Sequence, residues 1–281
     1  MDTAEGLLRE GSLVASLEAL ESDILRRPVD VRLRVFYVQT LMLAGQWDRA
    51  LEELEGFDAI GAFDRRMLVI AHTYRGLIHS ERMRAAVFAG ESSPGVIGKA
   101  PSWLAQLATC LSLERQGHAA QAAELRADVF DVAPESGGSL NGSAFVSIAD
   151  ADSRLGPVLE VIVGGAYYWA PFACIKHVTI KGPRYAHDLA WLPARFLWRN
   201  GDRSTGFVPV RYPGSERSDN DAIRLGRKTD WQPVGQELHT GLGQRLLRIN
   251  TEKVSILDVR DLSLASCANA APALAADRCG A

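Results

Sequence analysis

Apolar residues recur at three- and four-residue spacing from the start of the chain to about residue 133, in a background of Leu, Ala, Glu and Arg. That is the period of amphipathic helices, and it predicts helices at about 12–26, 31–44, 47–55, 63–88, 102–115 and 119–131. From about residue 143 the texture turns to short runs of Val, Ile, Thr, Trp, Tyr and Phe broken by Gly and Pro, the pattern of strands and turns. Strands are expected near 145–149, 158–163, 167–170, 174–181, 195–199, 206–210, 223–231 and 253–259, with room for a short helix after Gly156-Pro157. Arg199-Asn200-Gly201-Asp202, between two apolar runs, is a hairpin signal. The texture changes at APESGGSLNG, residues 133–142, where Gly and Pro cluster.

The helical half repeats itself. LLREGSLVASLEAL (7–20) and LMLAGQWDRALEEL (41–54) align without gaps at an offset of 34 residues, placing Gly11 on Gly45, Ser16 on Ala50 and Leu20 on Leu54. A looser third copy, LERQGHAAQAAEL (113–125), is displaced by four residues and carries Gly117, Ala122 and Leu125 in the same pattern. Pro28 and Pro134 each follow their glycine by 17 residues. A 34-residue period with an inter-helix Gly, a small residue and a late Pro marks a tetratricopeptide-like unit. Gly permits the turn, the small side chain lets the helices approach, and Pro stops the second helix. Stacked units form a curved array whose inner face can grip a segment of another protein. Arg32, Val35, Gln39 and Met42 fall on the inward face of the second unit. The other reading of these helices is a scaffold for the C-terminal half.

The expected fold class is therefore α+β: an N-terminal tetratricopeptide-like helical array followed by a C-terminal mixed, mainly antiparallel β domain. The expected boundaries are 1–135 for the helical domain, 136–142 for a linker, 143–265 for the β-rich domain and 266–281 for a disordered, Ala-rich tail.

Composition narrows the function classes. The chain has 281 residues, 47% of them hydrophobic, enough for a large core. Lys+Arg number 31 against 34 Asp+Glu, a net charge of −3, which gives no support to general nucleic-acid binding or attraction to an anionic membrane. The opening MDTAEGLLREGSL lacks the basic and apolar regions of a secretory leader. The most apolar piece, 158–163, is far below the ~20 residues of a membrane span. A cytoplasmic protein without membrane insertion is expected. Cys110, Cys174, Cys267 and Cys279 lie far apart, with no CxxC and no zinc-type spacing, and read as reduced thiols.

The stretch SIADADSRLGPVLEVIVGGAYYWAP, 147–171, offers the densest candidate chemistry. On an extended segment Asp150 and Asp152 share a face, which suits a divalent metal or a phosphate-bearing substrate. A hard cation needs about six oxygen ligands, however, and no second acidic cluster lies nearby. Asp152 can instead pair with Arg154, and Asp150 can cap the following turn. His187 and Asp188 are adjacent, and on a strand they would face opposite ways. No GxSxG accompanies them. The pieces GG and GLGQR lack a Walker or dinucleotide context. No cofactor, metal site or catalytic residue is assigned. Aromatics beside Arg, as in Arg211-Tyr212-Pro213-Gly214-Ser215, serve as interface anchors or as ordinary β-core packing.

Taken in order, PVDVRLRVFYVQTLMLAGQWDRAL, RAAVFAG, DADSRLGPVLE, GAYYWAPF, DLAWLPA, VPVRYPGSE, LGRKTDW and GLGQRLL anchor a match that extends over about residues 5–262. This series closely resembles the TagJ family, also called ImpE or SciE, accessory components of bacterial type VI secretion systems. The resemblance implies a non-enzymatic adaptor that binds the small contractile-sheath subunit, TssB, and is linked to the sheath-recycling ATPase ClpV. It supplies no catalytic residues. Asp150, Asp152, Arg154, Trp169, Trp191, Arg211, Tyr212 and Trp231 lie in these motifs without a role that the motifs decide. The rival class is a metal-dependent, transferase-like enzyme built on Asp150 and Asp152.

Overall fold

The computed structural model describes residues 2–61, 65–234 and 238–265. The N-terminal half is helical: α1 Asp2–Glu10, α2 Leu13–Arg26, α3 Val31–Leu43, α4 Trp47–Gly61, α5 Arg65–Phe88, α6 Ser102–Arg115 and α7 Ala119–Val132. The repeat is built as its residues imply. Gly11, Gly45 and Gly117 all take positive φ at the turns joining α1 to α2, α3 to α4 and α6 to α7. The small residues of the repeat, Ser16, Ala50 and Ala122, are fully buried where the paired helices touch. The Ser16 hydroxyl also donates to the Ala4 carbonyl at 2.8 Å. Helix α1 was not foreseen as an element, because nine residues give the helical period little room to declare itself.

The C-terminal half carries the strands. After β1 (Gly95–Val96), between α5 and α6, come β2 Gly138–Leu140, β3 Ser143–Phe145, β4 Ile148–Asp150, β5 Val158–Val163, β6 Ala166–Pro171 and β7 Ile175–Ile180. They are followed by β8 Trp191–Trp198, β9 Arg203–Pro209, the short helix α8 Asp221–Arg224, β10 Thr229–Val234, β11 Leu238–Gly243, β12 Leu246–Ile249, β13 Glu252–Ser255 and β14 Asp261–Leu264. The main sheet runs β1-β6-β5-β9-β8-β7-β14-β2-β3, with β13-β12-β4 and the β10-β11 hairpin beside it. Among the described residues every strand pair is antiparallel except β1 with β6. The fold class is α+β, as the two textures imply. The 199–202 turn joins β8 to β9, with Gly201 at φ +92° and Leu197 opposite Arg203.

Three local expectations change. The stretch read as a linker contains β2, which pairs with both β14 and β3. Gly156-Pro157 leads directly into β5 rather than a helix. The strand expected at 223–231 starts as α8, capped when Asn220 accepts from the Ala222 N–H, and becomes strand only at Thr229. The tail 266–281, with Cys267 and Cys279, lies outside the described residues.

The two halves share one core. Leu17, Leu41, Met42, Leu77 and Leu107 from the helices belong to the same buried cluster as Leu155, Ile162, Trp169, Trp191 and Leu225. The contact is reinforced at helix ends, where backbone groups lack intrahelical partners. Asp221 accepts from the Leu13 N–H at 2.7 Å, placing a carboxylate on the N-terminus of α2. Arg227 donates to the Leu8 and Arg9 carbonyls at the end of α1 (2.8 and 2.9 Å). Arg211 donates to the Leu43 carbonyl at the end of α3 (2.8 Å). Anion at an N-terminus and cations at C-termini are the favourable signs for the helix dipole.

Candidate functional site

The acid pair of the sequence lies inside the molecule, in a polar seam between α5 and the strands. Asp150 ends β4 and Glu160 sits in the middle of β5. Arg245, from the turn between β11 and β12, is fully buried and donates to both Asp150 and Glu160, while its Nε donates to the Pro209 carbonyl at 3.0 Å. From the helical side Arg84 clasps Glu160 with two hydrogen bonds, 2.7 and 2.9 Å, and donates to the Arg211 carbonyl at 2.7 Å. Tyr167 donates to Glu160 and accepts from Trp169 Nε1 at 2.7 Å. Trp191 Nε1 donates to Glu81 at 2.7 Å, and Glu81 also faces Arg84 at 3.3 Å.

Asp152 is equally engaged. Its carboxylate receives Arg154 (2.6 Å to Nη2) and the N–H groups of Arg154 and Gly241, at 2.8 and 2.9 Å. Asp150 accepts from the Asp152 N–H at 2.9 Å. The extended-segment picture of two carboxylates presented together thus gives way to a tight turn in which each oxygen has a protein donor. Among the described residues no group of three or more His, Cys, Asp or Glu side chains is disposed to hold a metal.

The seam shifts titration in opposite directions. Burial works to raise the Glu160 carboxyl, but Arg245 and Arg84 overcome it and hold it at about 2. For Asp150 burial prevails over Arg245, and its carboxyl is pushed up to about 7. Burial likewise raises Tyr212, whose hydroxyl is held by both the N–H and the carbonyl of Leu246. Burial lowers Arg211.

The other expected positions divide sharply. Trp169, Trp191 and Tyr212 are fully buried, and Trp231 packs at a tilt on Tyr212 with Lys253 over its outer face. On α3, Arg32 is exposed and Val35 half-buried, whereas Gln39 and Met42 are buried. Gln39 donates to the Tyr74 hydroxyl at 2.6 Å, and α3 is covered by the 3-10 turn Ala186–Leu189. The face expected to receive a guest is thus closed at Gln39 and Met42 by α5 and the 186–189 turn of this same chain. His187 and Asp188 also differ from expectation. They lie in that 3-10 turn rather than a strand, so their side chains can meet, with His187 Nε2 3.4 Å from Asp188.

Sequence reasoning missed Glu160, Arg84, Glu81 and Arg245. The available signal was Glu160 itself, a charge inside the apolar run VLEVIV that a buried strand keeps only with a partner. A Ser–His–Asp contact was also missed. His177 lies 2.8 Å from Ser263 Oγ and 3.1 Å from Asp261. It sits on an open sheet face, and β14 is paired along both edges, so its N–H groups are committed to the ladder rather than free to form an oxyanion hole.

Next to the seam a cleft of about 640 Å³ opens to solvent. Its walls come from stretches far apart in sequence: Ala44 to Trp47 at the α3–α4 turn, Glu81 to Glu91 along the end of α5 and the turn after it, Arg154, and the turn at Pro213 to Arg217. Gly45 is required there, since a Cβ would lie 2.7 Å from the Glu216 side chain and its φ is +71°. Arg154 lies over the Phe88 ring at 4.8 Å, forming part of the floor. Four of the eight motif stretches, AGQW, RAAVFAG, DADSRLG and RYPGSE, thus converge on one opening.

A helical layer is locked to a sheet by buried ion pairs, and a cleft of mixed charge opens beside them. Comparison with known proteins places the chain more closely. Residues 142–263 match the family model described as ImpE protein. The chain is 39% identical over 259 residues, 92% of this chain and 90% of the relative, to the type VI secretion system accessory component TagJ of Pseudomonas aeruginosa. A crystal structure of a Vibrio parahaemolyticus protein superposes with a TM-score of 0.84 at 26% identity, covering 94% of this chain and 97% of that one. The chain belongs to the ImpE/TagJ family.

Proposed function

We propose that this protein is a non-enzymatic, cytoplasmic accessory component of a type VI secretion system. In this reading it binds a segment of the small contractile-sheath subunit, a TssB-like protein, and links that subunit to recycling by a ClpV-type ATPase. Family membership supports the pathway. The observation that carries the site is the convergence of four motif stretches on the cleft between α5, the α3–α4 turn and the 213–217 turn. The buried seam behind it supplies rigidity, because Glu160, Asp150 and Asp152 are all held by arginines.

The test is calorimetric titration of the full-length protein with the small sheath subunit of the same organism's type VI secretion system. Saturable binding at micromolar concentration is expected. Ala89→Trp, which fills the cleft, and Arg217→Glu, which reverses an exposed charge on its rim, should each weaken it about tenfold, a loss of about 1.4 kcal/mol. Arg32→Glu, on the exposed part of α3, serves as the comparison and should leave affinity unchanged. Absence of heat with the unaltered protein would refute the partner. Equal binding by the cleft variants, or a loss confined to Arg32→Glu, would refute the cleft.

A further inference from the structure

Nearer the N-terminal end of α5 than the cleft, the face of the sheet formed by β7, β8 and β9 is left uncovered. Thr179, Arg195 and Thr205 lie side by side across these three strands and are exposed. Where this face meets α5 it forms a groove of about 530 Å³. Its apolar surface comes from the half-buried Pro193 and Phe207, with the buried Leu77 and Ile162 beneath them, and Lys181 and Arg195 stand in its walls. The groove narrows where α5 touches the β5–β6 turn. A Cβ on Gly76 would lie only 3.0 Å from the Gly165 Cα, so two glycines hold the backbones together there. Along the strands it continues into a second depression of about 610 Å³ that adds His177 and Arg203.

The charge in this surface has one sign. The residues lining the two depressions include Lys181, Arg195 and Arg203 but no Asp or Glu. Among the described residues no carboxylate forms an ion pair with any of these three cations, in contrast to the arginines of the seam. Asp261, at the margin, is taken up by His177 at 3.1 Å. The exposed apolar residues Leu68 and Val69 extend the apolar character along α5 beyond the groove. Cations without partners around an apolar floor form a potential that favours an anionic guest.

We infer that this groove is a second docking surface, which takes an acidic protein segment anchored by one or two apolar side chains. Charge complementarity selects the acidic character, and the floor of Pro193 and Phe207 selects the apolar anchors. A polypeptide fits better than nucleic acid because the chain as a whole carries a net charge of −3, whereas nucleic-acid affinity grows with the number of phosphates neutralised. The inference stands apart from the cleft and does not require the sheath subunit as its guest.

The test is selection of a library of random 15-residue peptides against the full-length protein, followed by fluorescence anisotropy on the enriched sequences. Peptides rich in Asp and Glu with Leu or aromatic anchors should emerge. Their affinity should fall about tenfold or more with Arg195→Glu plus Lys181→Glu, exposed changes that leave the core intact. It should also weaken as salt rises from about 0.05 to about 0.3 M. Ala89→Trp, in the cleft, should leave these peptides bound as before, which separates this surface from the proposed function. Neutral or basic winners, no enrichment, or unchanged affinity in the double variant would overturn the inference. So would a double-stranded DNA oligomer or anionic vesicles binding as tightly and with the same dependence on Arg195.

Discussion

Glu160 is the residue on which the seam turns. It is fully buried, and it receives Arg84, Arg245 and Tyr167 at once. A buried ion pair contributes little over an apolar pair of the same shape, but removing one partner leaves a charge stranded. Arg245→Met should therefore cost about 3–5 kcal/mol, read as a shift in urea midpoint. The pH dependence follows from the two opposite shifts. Glu160 is held at about 2 against an ordinary 4.5, so its contribution is complete above 4.5 and is lost as pH falls through about 2. Glu160→Gln should remove that acid limb. Asp150 runs the other way. With its carboxyl raised from 3.8 to about 7, the folded state holds the proton more tightly, and stability declines as pH rises across that window. Asp150→Asn should flatten this decline, and a steeper one in the variant would contradict the account. At this scale the chain was only partly legible. DADSR advertised the acidic turn, and the pairing of Asp152 with Arg154 could be set against a metal site, but nothing in a short motif announces the arginine that will face Asp150 from residue 245.

Helices and their ends set the next scale. The 34-residue repeat was readable because both of its causes are local: glycines at positive φ and small residues at the helix contact. What closes the helix ends was not readable, since the groups that cap α1, α2 and α3 come from the region between residues 211 and 227. The polar stretch 216–221 holds one of them, Asp221. Asp221→Ala should cost about 1 kcal/mol, the usual magnitude for loss of an N-terminal cap. The urea midpoint should move while the slope stays constant, as expected when only stability changes. A neutral result would mean that the Leu13 N–H finds water instead.

For the molecule as a whole, the consequence is that helices and strands stand or fall together. Leu17 and Leu77 share a cluster with Trp169 and Trp191, and no boundary near residue 135 divides that cluster. Thermal unfolding followed by helical circular dichroism and by tryptophan fluorescence should give coincident transitions. Separate transitions would show the helical layer to be an independent domain. The shared core also explains why the array offers no open inner face at Gln39 and Met42, and why the accessible surfaces lie instead at the margins where α5 meets the turns and the sheet.

Hydrophobic periodicity belongs to a dozen neighbouring residues, so the chain alone declared its helical half, most of its strands, the β8–β9 hairpin and the repeat of paired helices. Meetings between distant residues have no such local trace. Arg84, Glu160 and Arg245 are 76 and 85 residues apart in successive steps, and a charged letter in a sequence does not specify its counterion. Only the packed structure could place those groups together, hide the face of α3, and leave the cleft and the basic groove open, because burial is a property of the whole chain's arrangement and not of any segment of it.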